Sequence, residues 1–381
     1  MSTIAVNAIT NATGGNTATI NGMTPTADSL QGFRNRLING GMVIDQRNNG
    51  ASVTVNNAAT LQYSVDRFYG YGQSSDGVFT LQRDTDVPSG QGFTNSLKAT
   101  VTTADASIGA TQLYQVGQRI EGFNVADLGL GTAAAASITF SFWVRSSLTG
   151  TFGGALQNGG QNRSYPFSYS ISAANTWEKK TITLTGDTSG TWLTTNGTGL
   201  ELIWGLGVGS TFLGTANAWA GSYLSGVTGQ TQVIATSGAT FYITGVQLEA
   251  GSVATPFERR PYGTELALCM RYCEVIRPSG AVTFAQLAVG QCEASTSGTV
   301  GYFYQVPKRS APTVTYDTAS KYAVTGSGGG SVALTSISTA RADVTSLAIG
   351  FGVASGLTGG NATRLLDNNT NNPVTIISSE L

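Results

Sequence analysis

Apolar side chains recur at every second position through much of this chain, the period of a strand that buries one face. Leu200, Leu202, Trp204, Leu206 and Val208 form the cleanest run, and Ile138, Phe140, Phe142 and Val144 share one face in the same way. Residues 63–71, 97–101 and 178–184 alternate as well, the last offering Ile182 and Leu184. Further on, Phe241 and Ile243 point one way while Tyr242, Val246 and Leu248 point the other, which predicts a central strand covered on both faces. Clusters of turn residues at 149–154, 157–160 and 186–190 separate these runs. Many short strands without intervening helices predict a β-sandwich, and eight strands in two sheets would make it a jelly roll.

One segment breaks the period. Pro256 and Pro261 remove two backbone donors as the chain leaves the strand at Phe241. After Gly263 the spacing becomes roughly 3.6 residues, with Leu266, Cys269, Met270 and Cys273 on one stripe. The predicted class is therefore all-β: a jelly-roll β-sandwich over residues 33–262, one connecting helix over 263–277, and a second, β-sandwich-like domain over 278–381. In that last part the strand candidates are residues 299–306, 313–316, 331–337 and 344–353, with loop signals at 326–330 and 368–372. Residues 1–32 are polar, rich in Thr and Asn, and too few to bury a core of their own. No repeat of fixed period recurs, which counts against a β-helix.

Composition narrows the function. Charged residues are only 11% of the 381, and Gly, Thr, Ser and Asn stand in their place, so the surface meets water through hydroxyls and amides. Lys plus Arg (20) nearly balances Asp plus Glu (21), and no basic field exists for a nucleic acid. No apolar run is long enough for a spanning helix, so no membrane insertion is expected. The opening MSTIAVNAIT lacks the basic region and apolar core of a secretory signal.

Candidate chemistry is sparse. The chain has no histidine, which removes the usual triads, His-ligated zinc and the common general base near neutral pH. Cys269 and Cys273 have a spacing a metal could use, but helix-face packing is the simpler reading, and three cysteines cannot close an all-cysteine zinc site. No metal or cofactor is expected. Hydrolysis of a polysaccharide needs paired carboxylates, for which Asp84 with Asp86, or Glu249 with Glu258, are the candidates. Turn acids and an ion pair beside Arg259 and Arg260 explain them more simply, and the expectation is a protein without enzymatic activity. Aromatic residues in turn-rich segments offer flat faces for sugar C–H groups, with amides and hydroxyls nearby. On that basis the candidate ligand-binding residues are Trp192, Trp219, Tyr223, Tyr316 and Tyr322. Trp143 shares its face with Ser141 and Arg145, and core packing is favoured for it; Trp204 lies in an apolar stripe and is core.

Several segments carry a family resemblance. ITGVQLEAGSVATPFERRPYGTELALCMRY (243–272) is similar to the end of the jelly-roll domain in tail-fibre and host-recognition proteins of tailed bacteriophages. NRLINGGMVIDQR (35–47), SVDRFYG (64–70), QRIEG (118–122), ITFSFWVRSS (138–147) and the terminal IISSEL match in order, so the resemblance runs through nearly the whole chain. It implies a virion protein with a jelly roll akin to carbohydrate-binding modules, working as a homotrimer. It further implies that residues 1–32 join other tail or baseplate proteins and that receptor contact lies distally, at loops 317–330 and 355–372. The expected partner is a bacterial surface glycan such as lipopolysaccharide or capsule, and the expected place of assembly is the host bacterial cytoplasm. The alternatives are a capsid-fibre or baseplate component that binds no receptor, and a depolymerase using paired carboxylates.

Overall fold

The computed structural model describes residues 32–73, 76–280, 282–369 and 371–381. The attachment arm expected over 1–32 lies, apart from Gly32, outside the described residues. The chain forms two compact units, one ending at Arg260 and one beginning at Pro261.

In the first unit the strands are β1 (Val53–Val55), β2 (Gln62–Tyr63), β3 (Tyr69–Gln73), β4 (Val78–Asp84), β5 (Ser96–Thr103), β6 (Leu113–Glu121) and β7 (Ile138–Ser146). They continue as β8 (Gly150–Asn158), β9 (Ser164–Ile171), β10 (Glu178–Leu184), β11 (Thr198–Val208), β12 (Leu213–Gly214), β13 (Gly226–Val227) and β14 (Thr240–Ala250). Two antiparallel six-stranded sheets result, ordered β1-β4-β5-β14-β7-β10 and β2-β3-β6-β11-β8-β9. Counted from β5 and leaving out the short β12–β13 pair, the eight long strands pair first with last, last with third and third with sixth in one sheet. In the other they pair second with seventh, seventh with fourth and fourth with fifth. That is jelly-roll connectivity, to which β4 and β1, and β3 and β2, each add two strands.

The core is the layer between the sheets. Phe140, Phe142 and Val144 from β7 meet Leu200, Leu202, Trp204 and Leu206 from β11, all of them buried. Phe142 stands edge-on to Trp204 at 5.4 Å and to Tyr169 at 5.2 Å between ring centroids, and Phe140 to Phe167 at 4.7 Å. Edge-to-face packing of this kind adds to the area term.

β14 departs from the sequence expectation. Its register against β7 shifts between Thr244 and Gln247, around Gly245 at φ +60°. The bulge advances the alternation by one residue, so Val246 and Leu248 return to the core face already used by Phe241 and Ile243. Gln247 and Glu249 thereby go to the opposite face, where residues 254–257 cover them.

The motifs at 35–47 and 64–70 build a plug at the sandwich. Asn35 Oδ1 accepts from the N–H groups of Leu37 and Leu248, both at 3.0 Å, and its Nδ2 donates to Val246 O. Gln118 clasps Ile38 through both N–H and C=O at 2.8 Å. A Cβ on Gly40 would lie 2.0 Å from Val246 O, so only glycine lets this segment approach β14. Asp66 accepts from Gln46 through both oxygens.

The second unit opens with α1 (Tyr262–Met270), followed by β15 (Cys273–Ile276), β16 (Gln286–Cys292), β17 (Ser297–Phe303), β18 (Thr313–Tyr316) and β19 (Tyr322–Thr325). After these come β20 (Ser331–Ala333), β21 (Ser336–Ala342), β22 (Ser346–Gly352), β23 (Ala362–Asp367) and β24 (Thr375–Ser378). They form a seven-stranded sheet, β20-β19-β23-β16-β17-β22-β21, and a three-stranded one, β15-β24-β18. The helix expected to reach residue 277 stops at Met270, and Cys273 opens a strand. Val275 and Ile276 are β-branched and pair with Ile376 and Thr375, and the carbonyls of Arg271 and Tyr272 accept from Arg309 and Ser379 instead of from the next helical turn. Cys269 and Cys273 therefore do not share a helix face, and all three cysteines are buried. Lys308 and Glu274 form a fully buried ion pair at 2.6 Å; Lys308 Nζ also donates to Met270 O and Val306 O, and the Tyr302 hydroxyl donates to Glu274.

Two stability measurements follow. Phe142→Ala should lower the unfolding free energy by about 3–5 kcal/mol, and Glu274→Ala by a similar amount because it strands the Lys308 charge, both read by denaturant titration. Burial and a 2.7 Å hydrogen bond to Asp105 raise the Tyr114 phenol to about 12, against 10.0 for an ordinary tyrosine. Its contribution is then complete below about pH 10 and lost as pH rises toward 12. Thermal unfolding should show this alkaline loss, reduced in Tyr114→Phe.

Candidate functional site

The outward face of the sheet β2-β3-β6-β11-β8-β9 carries a groove of about 420 Å³. Its strand side chains come from positions that alternate with the core residues: Tyr71 and Gln73 on β3 and Gln115 and Arg119 on β6. Tyr69 on β3, Glu201 on β11 and Gln157 on β8 share that alternation but are buried and do not line the groove. Register lines them up. Tyr71 lies opposite Gln115, and Arg119, Glu201 and Gln157 form one row across three strands. Glycines keep the floor low: a Cβ on Gly117 would meet the Tyr69 hydroxyl at 2.5 Å and Leu202 O at 2.8 Å. Tyr223, arriving from the loop before β13, Leu61 and Gln161 complete the walls with Tyr71, Gln73, Gln115 and Arg119.

A buried charge organises this face. Glu201 is 1% exposed; it accepts from Arg119 Nε at 3.0 Å, from Gln157 Nε2 at 2.7 Å and from the Tyr69 hydroxyl. Burial opposes the Arg119 charge, but Glu201 and Tyr69 hold that guanidinium above its ordinary pKa. Burial raises the phenols of Tyr71 and Tyr223, and it raises Tyr63 against the pull of Arg67 and Arg119. These hydroxyls stay protonated at neutral pH and serve as both donors and acceptors. Among the described residues, the buried Gln115 Oε1 and Gln157 Oε1 have no hydrogen-bond partner, and of the two only Gln115 lines the groove. Such groups cost about 1–3 kcal/mol each when unmet, which favours a hydroxyl-bearing ligand or bound water. Tyrosine rings, amides and one fixed guanidinium around unmet acceptors suit a polyhydroxylated ligand.

Of the five residues expected from sequence to bind ligand, Tyr223 lines this groove. Trp192 and Trp219 pack edge-to-face at 5.5 Å, and Trp219 does the same with Tyr165 at 5.2 Å; their indole N–H groups bond to Ser189 O and Thr185 O. They seal one border of the core. Tyr316 is half-buried with its hydroxyl at 3.0 Å from Thr339 Oγ1. Tyr322 is fully buried, its hydroxyl bonded to Thr375 and Val374, so it presents no ring face. The expected loops 317–330 and 355–372 contain β19 and β23, because Ala323–Val324 and Leu365–Leu366 pair across them and bury apolar side chains. Sequence reasoning missed Tyr71, Gln115, Arg119, Gln157 and Glu201; the available signal was a charged residue between Leu200 and Leu202 in an otherwise apolar strand.

The carboxylates weighed for hydrolysis are all engaged. Asp84 pairs with Lys98 at 3.2 Å; burial works to raise its pKa, yet the Asp86 N–H and Lys98 hold it below the usual range. Asp86 pairs with Arg145 and accepts from Trp177 Nε1 at 2.8 Å. Glu249 accepts from Thr255 and Gln247, and Glu258 from the N–H groups of Phe33 and Asn35. Among the described residues no cluster of acidic or thiol groups has the make-up of a metal site, and no helix is long and apolar enough to cross a membrane.

No family model and no curated protein matches the sequence. Among solved structures, the enzymatically active domain of bacteriophage CBA120 tailspike protein 4 is similar over 57% of this chain, at 14% identity and a TM-score of 0.30. The match takes in only 22% of the tailspike chain. A putative sugar binding protein from Bacteroides thetaiotaomicron is similar over 57% of this chain and 100% of its own, at 11% identity and a TM-score of 0.33. A family 11 carbohydrate-binding module from Clostridium thermocellum, in complex with a β-1,3-1,4-mixed-linked tetrasaccharide, is similar over 54% of this chain and 98% of its own. That match has 8% identity and a TM-score of 0.27. Scores this low assign neither family nor ligand.

Proposed function

We propose that this chain is a non-enzymatic adhesion protein that binds glycan on a bacterial surface through the groove centred on Tyr71, Gln115, Arg119 and Tyr223. The observation that carries the reading is the unmet amide oxygen of Gln115 in a groove walled by Tyr71 and Tyr223, with the Arg119 guanidinium beside it. A saccharide would lay a C–H face on the tyrosine rings and offer hydroxyl donors to the amides. Arg119, oriented by Glu201, would donate to ring or hydroxyl oxygens without having to move. Low surface charge suits weak polar recognition of this kind.

The virion context rests on the sequence resemblance of residues 35–47, 64–70 and 243–272 to tail-fibre proteins. On that basis the proposal includes a homotrimer, held to tail or baseplate proteins through residues 1–32 and assembled in the host cytoplasm. Three copies on one particle would turn modest single-site affinity into firm adhesion through effective concentration.

Affinity electrophoresis and calorimetry of the full chain against host lipopolysaccharide and capsule fragments test the reading. Tyr223→Ala and Gln115→Ala should each weaken binding by about 1–2 kcal/mol, close to tenfold, while leaving thermal unfolding nearly unchanged. Binding that neither substitution alters, or no binding to any host glycan, would refute it. Mass measurement in solution checks the trimer.

A further inference from the structure

The opposite sheet carries a second, larger recess that the groove does not use. It encloses about 640 Å³, within the roughly 300–1,000 Å³ typical of ligand pockets. One side is the outward face of β7 and β10, where Trp143 and Lys179 stand directly opposite each other as a cross-strand pair. The other side is Phe93 and Phe257, edge-to-face at 5.1 Å, with the Arg259 guanidinium 4.8 Å from the Phe93 centroid. The β14 bulge makes the recess possible. A Cβ on Gly245 would lie 2.5 Å from the Phe93 ring, so this glycine, already at positive φ, lets the ring lie against the strand.

The charged side chains lining this recess, Lys179 and Arg259, are both cationic. Arg259 is held in place by donating to Gln91 O at 2.6 Å and Gly92 O at 2.7 Å, and among the described residues it has no carboxylate partner. The Lys179 side chain is exposed and has neither an ion pair nor a hydrogen bond among the described residues. The nearby acid, Glu249, lies behind Thr255, whose N–H and hydroxyl both donate to it. An aromatic platform beside two unneutralised cations favours a flat-faced ligand with negative charge.

We infer that this recess is a second saccharide site, distinct from the groove, that takes a uronic-acid-containing glycan. A pyranose would stack on Trp143 while its carboxylate meets Lys179 and Arg259. The site does not depend on the groove's ligand, and either can fail alone.

The test is a calorimetric titration of the full chain with oligogalacturonate, with its carboxyl-reduced neutral counterpart as control. Saturable binding is expected with the acidic oligomer, weakening as salt is raised. Trp143→Ala should reduce it about tenfold and Lys179→Gln roughly threefold, whereas Tyr223→Ala should leave it unchanged. Circular dichroism checks the fold of Trp143→Ala, and Lys179→Gln carries the test if that variant misfolds. Equal binding of the neutral oligomer would overturn the inference. So would loss in Tyr223→Ala but not in the recess variants, or the absence of saturable binding at millimolar oligomer.

Discussion

Packing of aromatic rings between the two sheets sets the phase of every strand in the first unit. Once Phe142 lies edge-on to Trp204, with Phe140 against Phe167 and Tyr169 beside them, β7, β9 and β11 can each place only one set of alternate residues inward. The remaining residues must face outward, because a slip of one residue would exchange the whole set. The strand side chains of both proposed ligand surfaces are outward residues of this kind, joined there by loop residues such as Tyr223 and Phe257. Glu201 and Gln115 point outward because Leu200, Leu202, Tyr114 and Val116 point inward. Trp143 points outward because Phe142 and Val144 do not.

Glycine then decides where those surfaces are open. Gly117 makes room for the Tyr69 hydroxyl, Gly153 and Gly205 let residues 225–230 lie close against β8 and β11, and Gly245 combines the β14 bulge with a seat for Phe93. A chain with 50 glycines does not thereby lose its core, since the apolar positions are filled by large rings. The scarcity of charge has a related consequence. Most of the acids with an assigned partner serve to fasten the structure: Asp66 to Gln46, Asp187 to Arg163, Glu201 to Arg119, and Glu274 to Lys308.

Some of the segments that resemble phage fibre proteins turn out to be scaffold. Residues 35–47 plug the sandwich through Asn35, Asn39 and Gly40, and the terminal IISSEL supplies β24, the middle strand of the three-stranded sheet. Other matching segments reach the candidate surfaces: QRIEG carries Arg119, and residues 138–147 and 243–272 carry Trp143, Phe257 and Arg259.

Local periodicity determined a good deal. The alternation at residues 138–144 and 200–208 foretold β7 and β11 with their buried faces, the all-β class followed from it, and the absence of histidine bounded the chemistry. Tertiary structure decided the rest. Periodicity describes neighbours in the chain, while register joins residues far apart: the Tyr69 hydroxyl meets Glu201 across 132 positions. One bulge at Gly245 reversed the sides assigned to Val246 and Leu248, and pairing with Thr375–Ser378 converted the end of an expected helix into β15. Strand hydrogen bonds and close packing are long-range, so which outward residues come together to form a site could be read only from the folded chain.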